Sequence, residues 1–196
     1  LVDLTLLLTG FLLYRPLVRA GGRIADVKGF YYRRLCRILP CYLLAVLVAA
    51  AFALARGRAV GSAPLWRDLL THLTFTHTFS MDTYYWTSLN AALWTVAVEM
   101  QFYLLFPLLA RAFGKRPALT FSLMTLAALV SRALVALCAH ELSLWLNQLP
   151  CMLDLYALGM LAAHLLEKRA DAPRRWGFFP LALLALFGAF AVLWRQ

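Results

Sequence analysis

Charge is scarce in this chain, and acidic charge scarcest. Of 196 residues, 14% are charged, with 9 Asp and Glu against 19 Lys and Arg. A soluble domain carries about a quarter charged residues, so this composition excludes water as the solvent of most of the surface. Cysteine is sparse as well. Cys36, Cys41, Cys138 and Cys151 form no C-x-x-C pair and no framework pattern, which argues against both a disulfide scaffold and a structural metal site. No metal is expected. His72, His140 and His164 have no ligand companions at useful spacing and read as surface or interfacial residues. Internal repeats, low-complexity tracts and a recognisable signal peptide are absent too.

What the chain has in abundance is long apolar runs, in a composition that is 63% hydrophobic. A helix needs about 20 such residues to cross a bilayer. Residues 38–54, 91–113, 118–139, 149–166 and 177–194 form five runs of this kind, and 4–14 reads as the end of a sixth whose beginning is missing. The fold expected is all-α, a polytopic transmembrane bundle of about six segments, the first partial, in a single domain over 1–196. Leu65, Leu69, Leu70 and Leu73 recur at helical spacing in "LWRDLLTHLTF", which predicts an interfacial helix between the spans or one packed on the outer face. The partner implied is the lipid bilayer.

The net charge of +10 invites a nucleic-acid reading, but its distribution argues otherwise. Fourteen of the 19 basic residues fall in segments 15–37, 111–116 and 168–175, on alternate connections between the runs. This is the positive-inside pattern, and it makes those segments cytoplasmic in an inner or plasma membrane. No nucleic-acid partner is required. With this orientation Cys36 is expected to be reachable from the cytoplasmic side and Cys151 from the other.

Three groups of residues could carry chemistry. In "LNAALWTVAVEMQFYLLFPLLA", Glu99 stands in the middle of an apolar run, where a carboxylate is costly and serves function by default. Thr95, Glu99 and Tyr103 are spaced by four and form one stripe, flanked by Phe102 and Phe106. Trp94 marks the outer interface, which puts Glu99 about 7–8 Å below it. Arg132, in the outer part of the next span, is the candidate partner. In "FYYRRLCRILPCY", Arg34 and Arg37 share a helix face and form a fork suited to phosphate oxygens at the inner surface, or else a lipid-headgroup anchor. Finally, His77 precedes Asp82 by five residues, the H-x-x-x-x-D spacing of glycerolipid acyltransferases. None of that family's further motifs accompanies it.

Four segments in order carry a broader resemblance. "LWTVAVEMQFYLLFPLL" resembles the W-S-L-x-V-E-x-x-F-Y-L-x-x-P segment of the acyltransferase 3 family of polytopic membrane enzymes. "VDLTLLLTGFLL" is similar to its G-V-D-x-F-F-x-x-S-G-F-L segment, with Thr9 in place of the serine. "FYYRRLCRILPCY" is similar to R-x-x-R-I-x-P-x-Y, and "LPCMLDLYALGMLAAHL", with Asp154, to L-P-x-x-L-D-x-F-x-x-G-M. The departures are Leu1 in place of the family's glycine, and Thr5 and Leu6 in place of its Phe-Phe.

The resemblance implies an O-acyltransferase, of the class transferring groups other than aminoacyl. It would move an acyl group, often acetyl, from acyl-CoA as co-substrate to a hydroxyl of a cell-envelope glycan or another carbohydrate-containing acceptor. No bound cofactor is implied. Arg34 and Arg37 match the donor-binding pair, and Glu99 and Asp3 match the family's acidic membrane positions. Arg132, Tyr103, Trp94 and Asp154 are supporting candidates. The family's catalytic histidine belongs to an earlier helix, in an R-x10-H motif. This chain is therefore expected to be a fragment that lacks that helix and roughly three later ones, and to be inactive alone. A membrane transporter or lipid-linked glycan translocase is the alternative, in which Glu99 and Arg132 would gate or bind substrate, and an inactive packing subunit is a third reading.

Overall fold

The structure is a computed structural model, and it describes residues 2–55 and 64–169. The run 177–194 and the basic residues Arg56, Arg58, Arg174, Arg175 and Arg195 lie outside the described residues. Helices follow one another as α1 (Val2–Tyr14), α2 (Val27–Ala55), α3 (Leu65–Leu73), α4 (Met81–Tyr84), α5 (Trp94–Lys115), α6 (Pro117–Cys138), α7 (Leu142–Leu146) and α8 (Leu149–Arg169). No strand occurs among the described residues.

Four stretches are long and apolar enough to cross a membrane: Val27–Ala55, Ala91–Lys115, Pro117–Cys138 and Leu142–Lys168. Their surface fits lipid rather than water. Leu108, Leu104 and Leu137 are 70%, 67% and 83% exposed, a load of bare leucine that a soluble protein does not carry in one contiguous region. The protein is an all-α membrane bundle. α1, at 13 residues, is about 20 Å long and falls short of a full crossing.

Paired contacts give the helix directions. Gly10 meets Tyr156, Gly159 meets Leu7 and Phe11, and Arg15 and Arg19 both reach Glu167, so α1 and α8 run parallel. The close approach depends on the two glycines, because a Cβ on Gly10 would overlap the Tyr156 carbonyl and one on Gly159 the Leu7 carbonyl. Tyr31 donates to the Leu104 carbonyl (2.9 Å) and Phe30 stacks on Phe106, while Tyr42 and Val46 cluster with Leu93, so α2 and α5 run antiparallel. Arg116 alone joins α5 to α6, with Pro117 opening α6 at a position where its missing N–H costs nothing. Between α1 and α2 the chain turns through Gly21 and Gly22, both at positive φ, and folds onto the Lys115 end of α5. There Gly22 lies on the Ala110 carbonyl and Gly114 on that of Gly21.

The core between these helices is aromatic. Phe102, Phe106, Phe113, Tyr14 and Tyr156 are fully buried, and Phe102 stacks on Tyr156 at 3.7 Å. Cys151 is buried there as well, which corrects the expectation that it is reachable; Cys36 and Cys138 are exposed.

Residues 65–90 close the Trp94 end of the bundle. Their polarity is the reverse of a soluble helix. Asp68 and His72 of α3 are fully buried, whereas Trp66, Leu70 and Leu73 are exposed. An apolar outer face is what an interfacial helix presents to lipid. Of the histidines expected at the surface or the interface, His72 lies on the interfacial helix but is buried, His164 is buried beside Tyr14 and Phe113, and His140 is exposed.

Candidate active site

Glu99 lies in the first half of α5, where a free carboxylate is least tolerable, and two hydroxyls answer it. Thr9 of α1 donates to Oε1 (3.2 Å), and Tyr103, one turn on, donates to Oε2 (3.3 Å). Helical spacing predicts the second contact. The first comes from a helix 90 residues away. Thr95 does not join them, because its hydroxyl bonds the Ala92 carbonyl of its own helix. Phe102 and Phe106 are fully buried beside the stripe. Trp94 packs edge-on against Tyr84, one and a half turns from Glu99.

Arg132 is not the partner of Glu99. Its guanidinium forms a bidentate pair with Asp154 of α8, both bonds at 2.8 Å. The planar fork of arginine matches a carboxylate in this way, and the pair binds α6 to α8. Asp3 is exposed on the first turn of α1, about 9 Å along the helix from Thr9, and is not brought to Glu99.

The charges of both Arg37 and Arg34 reach the Glu99 network, and Arg34 is the one seated on its ring. The antiparallel register of α2 against α5 carries it to the level of Tyr103, with its guanidinium 5.8 Å from that ring and 5.7 Å from Phe30. This changes the expected depth. Tyr103 stands about 14 Å from the Trp94 end of α5 and about 18 Å from the Lys115 end, so Arg34 lies along the middle of the bundle rather than at its surface.

Arg34 also lines a cavity of about 370 Å³, together with Arg33, Arg37, Phe30, Ile24 and Leu13, Pro16 and Leu17 from the end of α1. That volume falls within the range of small-molecule sites. Among the described residues, none of the three arginines has a carboxylate within 4.0 Å, whereas Arg15, Arg19 and Arg132 all do. Three unneutralised guanidiniums around an apolar-floored cavity make a receptor for an anion. Arg33 was missed by the sequence reading, although it stands four residues before Arg37 and so shares its face. Thr9 was quoted in a motif without a role. Its signal was a hydroxyl retained where the family has serine.

A second polar group escaped the sequence. At the Trp94 end, the Asp68 carboxylate accepts from Thr87 Oγ1 (2.7 and 2.9 Å) and the Ser88 amide (2.7 Å), while His72 Nδ1 bonds the Asp68 main-chain carbonyl (2.8 Å) and lies 3.2 Å from the carboxylate. His72 stacks on His77 with ring centroids 3.9 Å apart, and both rings are buried. Burial works to raise the Asp68 pKa, but the bonds from His72, Thr87 and Ser88 outweigh it and hold the carboxyl below its usual range. Burial, helped by the neighbouring His72, pushes His77 down to about 3, so this ring is neutral. The dyad therefore joins His72 to Asp68, within one helix, rather than His77 to Asp82. Among the described residues, no group of three His, Cys, Asp or Glu side chains could hold a metal ion.

A search of curated proteins and a search of solved structures return no match. A scan against protein-family models returns one, the acyltransferase 3 model, described as an acyltransferase domain and matched over residues 2–196. The chain that carries this half-buried carboxylate and arginine-lined cavity is therefore a member of the acyltransferase 3 family.

Proposed function

We propose that the protein is an integral membrane O-acyltransferase that moves an acyl group, acetyl in the simplest case, from acyl-CoA to a hydroxyl of a cell-envelope glycan or another carbohydrate-containing acceptor. The observation that carries the reading is the arginine-lined cavity touching the Glu99 network through Arg34. Acyl-CoA offers phosphates for the guanidiniums and a thioester on a long arm that reaches into the bundle. The acceptor class rests on the family resemblance. The positive-inside pattern supports an orientation with the Lys115 end and segments 111–116 and 168–175 toward the cytoplasm, from which side α2 enters and carries Arg34 into the bundle, so donor and cavity share a side.

In the reaction, the acceptor oxygen attacks the thioester carbonyl as a base removes its proton. The new C–O bond forms, the C–S bond breaks and the CoA thiolate departs, taking up that proton. By the resemblance, the base is the histidine of the family's R-x10-H motif. Glu99, fixed by Thr9 and Tyr103, holds that histidine's tautomer and balances its charge, the role an aspartate has in a hydrolase triad.

The test is acyl-CoA-dependent labelling of glycan in membranes carrying the protein. Labelling that requires acyl-CoA and is lost in Arg37→Ala supports the reading. Glycan movement that proceeds without CoA would instead identify a translocase.

A further inference from the structure

The three cavity arginines differ in what surrounds them, and the difference divides their labour. Arg33 and Arg37 are exposed and stand one turn apart on one face of α2. Arg34 is half-buried, its guanidinium against the rings of both Phe30 and Tyr103. Neither ring is free to move away. Phe30 stacks on fully buried Phe106, and Tyr103 is buried with its hydroxyl on Glu99. A guanidinium held over an aromatic face is attracted to the ring, the more so as water is excluded, which fixes the cation and the ring together. Whatever orients Arg34 therefore orients Tyr103, and through its hydroxyl the Glu99 carboxylate.

Resting on the acyl-CoA reading above, we propose that Arg33, with Arg37, holds the phosphates of the donor, while Arg34 is a positioning residue that sets the Tyr103–Glu99 pair for transfer. Arg33 is thereby a donor-binding residue and Tyr103 the link between the cavity and the carboxylate. The spacing of Arg34 and Arg37 alone treats those two as equivalent phosphate ligands. Their surroundings do not.

The experiment measures CoA binding, and acetyl transfer from acetyl-CoA, for the purified protein in lipid nanodiscs. Arg33→Gln and Arg37→Gln are expected to weaken CoA binding about tenfold each and to raise the donor KM in step, as lost charge-assisted bonds to phosphate do. Arg34→Gln is expected to leave CoA binding within about twofold and to lower kcat about 10- to 100-fold, the scale of a misplaced catalytic group. Tyr103→Phe keeps the ring and its packing and removes only the hydroxyl. It should show the same kcat loss, and the double variant with Arg34→Gln should show little more than either alone. Because that substitution is nearly isosteric, it reads the network even where Arg34→Gln folds poorly. If Arg34→Gln weakens CoA binding as much as Arg37→Gln, or if the Arg34 and Tyr103 effects multiply, the division is overturned while the donor reading stands. If none of the three arginine variants alters CoA binding, the acyl-CoA reading itself fails.

Discussion

Glu99 is tolerated in the bundle because two neutral hydroxyls from two helices share its oxygens. Thr9 supplies one of them, and what it offers is the hydroxyl rather than the methyl. Thr9→Ser should therefore keep activity near the parent level, while Thr9→Val, similar in shape, should lower transfer about tenfold, the worth of one hydrogen bond to a charged group. Activity retained by both variants would remove Thr9 from the site. The Arg132–Asp154 pair calls for a different measurement, because it joins two helices rather than acting on substrate. Asp154→Ala and Arg132→Ala should each lower thermal stability by a few kcal/mol, and the double variant by less than their sum. Strict additivity would mean that the bidentate geometry contributes nothing. Glu99 itself was legible in the sequence, since a carboxylate inside an apolar run declares itself. Its partners were not. A sequence gives each residue a depth along its helix but not the face that a neighbouring helix meets. Arg132 and Glu99 matched in depth alone, and Asp154 matched Arg132 in depth and direction.

Helix extents were legible for the same reason that partners were not, since length and hydropathy are local properties. The runs 118–139 and 149–166 reappear within a few residues as α6 and α8. The apolar run 38–54 continues back as one helix to Val27, through Pro40. α3 shows where local reading stops. Its leucine spacing reveals an apolar face, but whether protein or lipid covers that face depends on what lies behind the other one. Behind it lies the Asp68–His72–His77 group. Both shifted members of that group act in the same direction with pH. Each has a folded pKa below its ordinary value, so each contributes stability that is complete above the unfolded pKa and is lost as pH falls through the folded one. For His77 the loss runs from about pH 6.5 down to about 3 and is on the order of 5 kcal/mol. Hydrogen exchange over 65–90 should therefore rise steeply in this interval, and His77→Phe should flatten the rise. An exchange profile independent of pH would contradict the burial of His77. The α1–α8 seam is testable by volume alone. Gly159→Val would press on the Leu7 carbonyl and should abolish accumulation of folded protein, whereas Ala20→Val, in an exposed turn, should be silent.

At the scale of the molecule, two readings that the sequence kept apart become one. Arg34 and Arg37 were expected at the inner surface and Glu99 near the outer interface. The antiparallel packing of α2 on α5 brings Arg34 onto Tyr103, within one hydrogen bond of Glu99. The arginine-lined cavity and the Glu99 carboxylate thereby meet through Arg34 and Tyr103, the arrangement on which the proposed transfer rests. The proposed orientation can be tested with thiols. A cysteine placed at Ala20 should react with an impermeant reagent only from the cytoplasmic face, and exposed Cys138, at the far end of α6, only from the opposite one. Labelling of both from one side would reverse or reject the orientation. The central claim is that Glu99 serves transfer rather than packing or donor binding. Its most direct measurement compares Glu99→Gln with the parent protein in the same membranes, scoring CoA binding and acetyl transfer to acceptor side by side. Glutamine keeps the shape and can still bond Thr9 and Tyr103, so CoA binding unchanged within about twofold and transfer reduced at least 100-fold is the expected result. Transfer at the parent rate would reduce Glu99 to a packing residue and contradict the account.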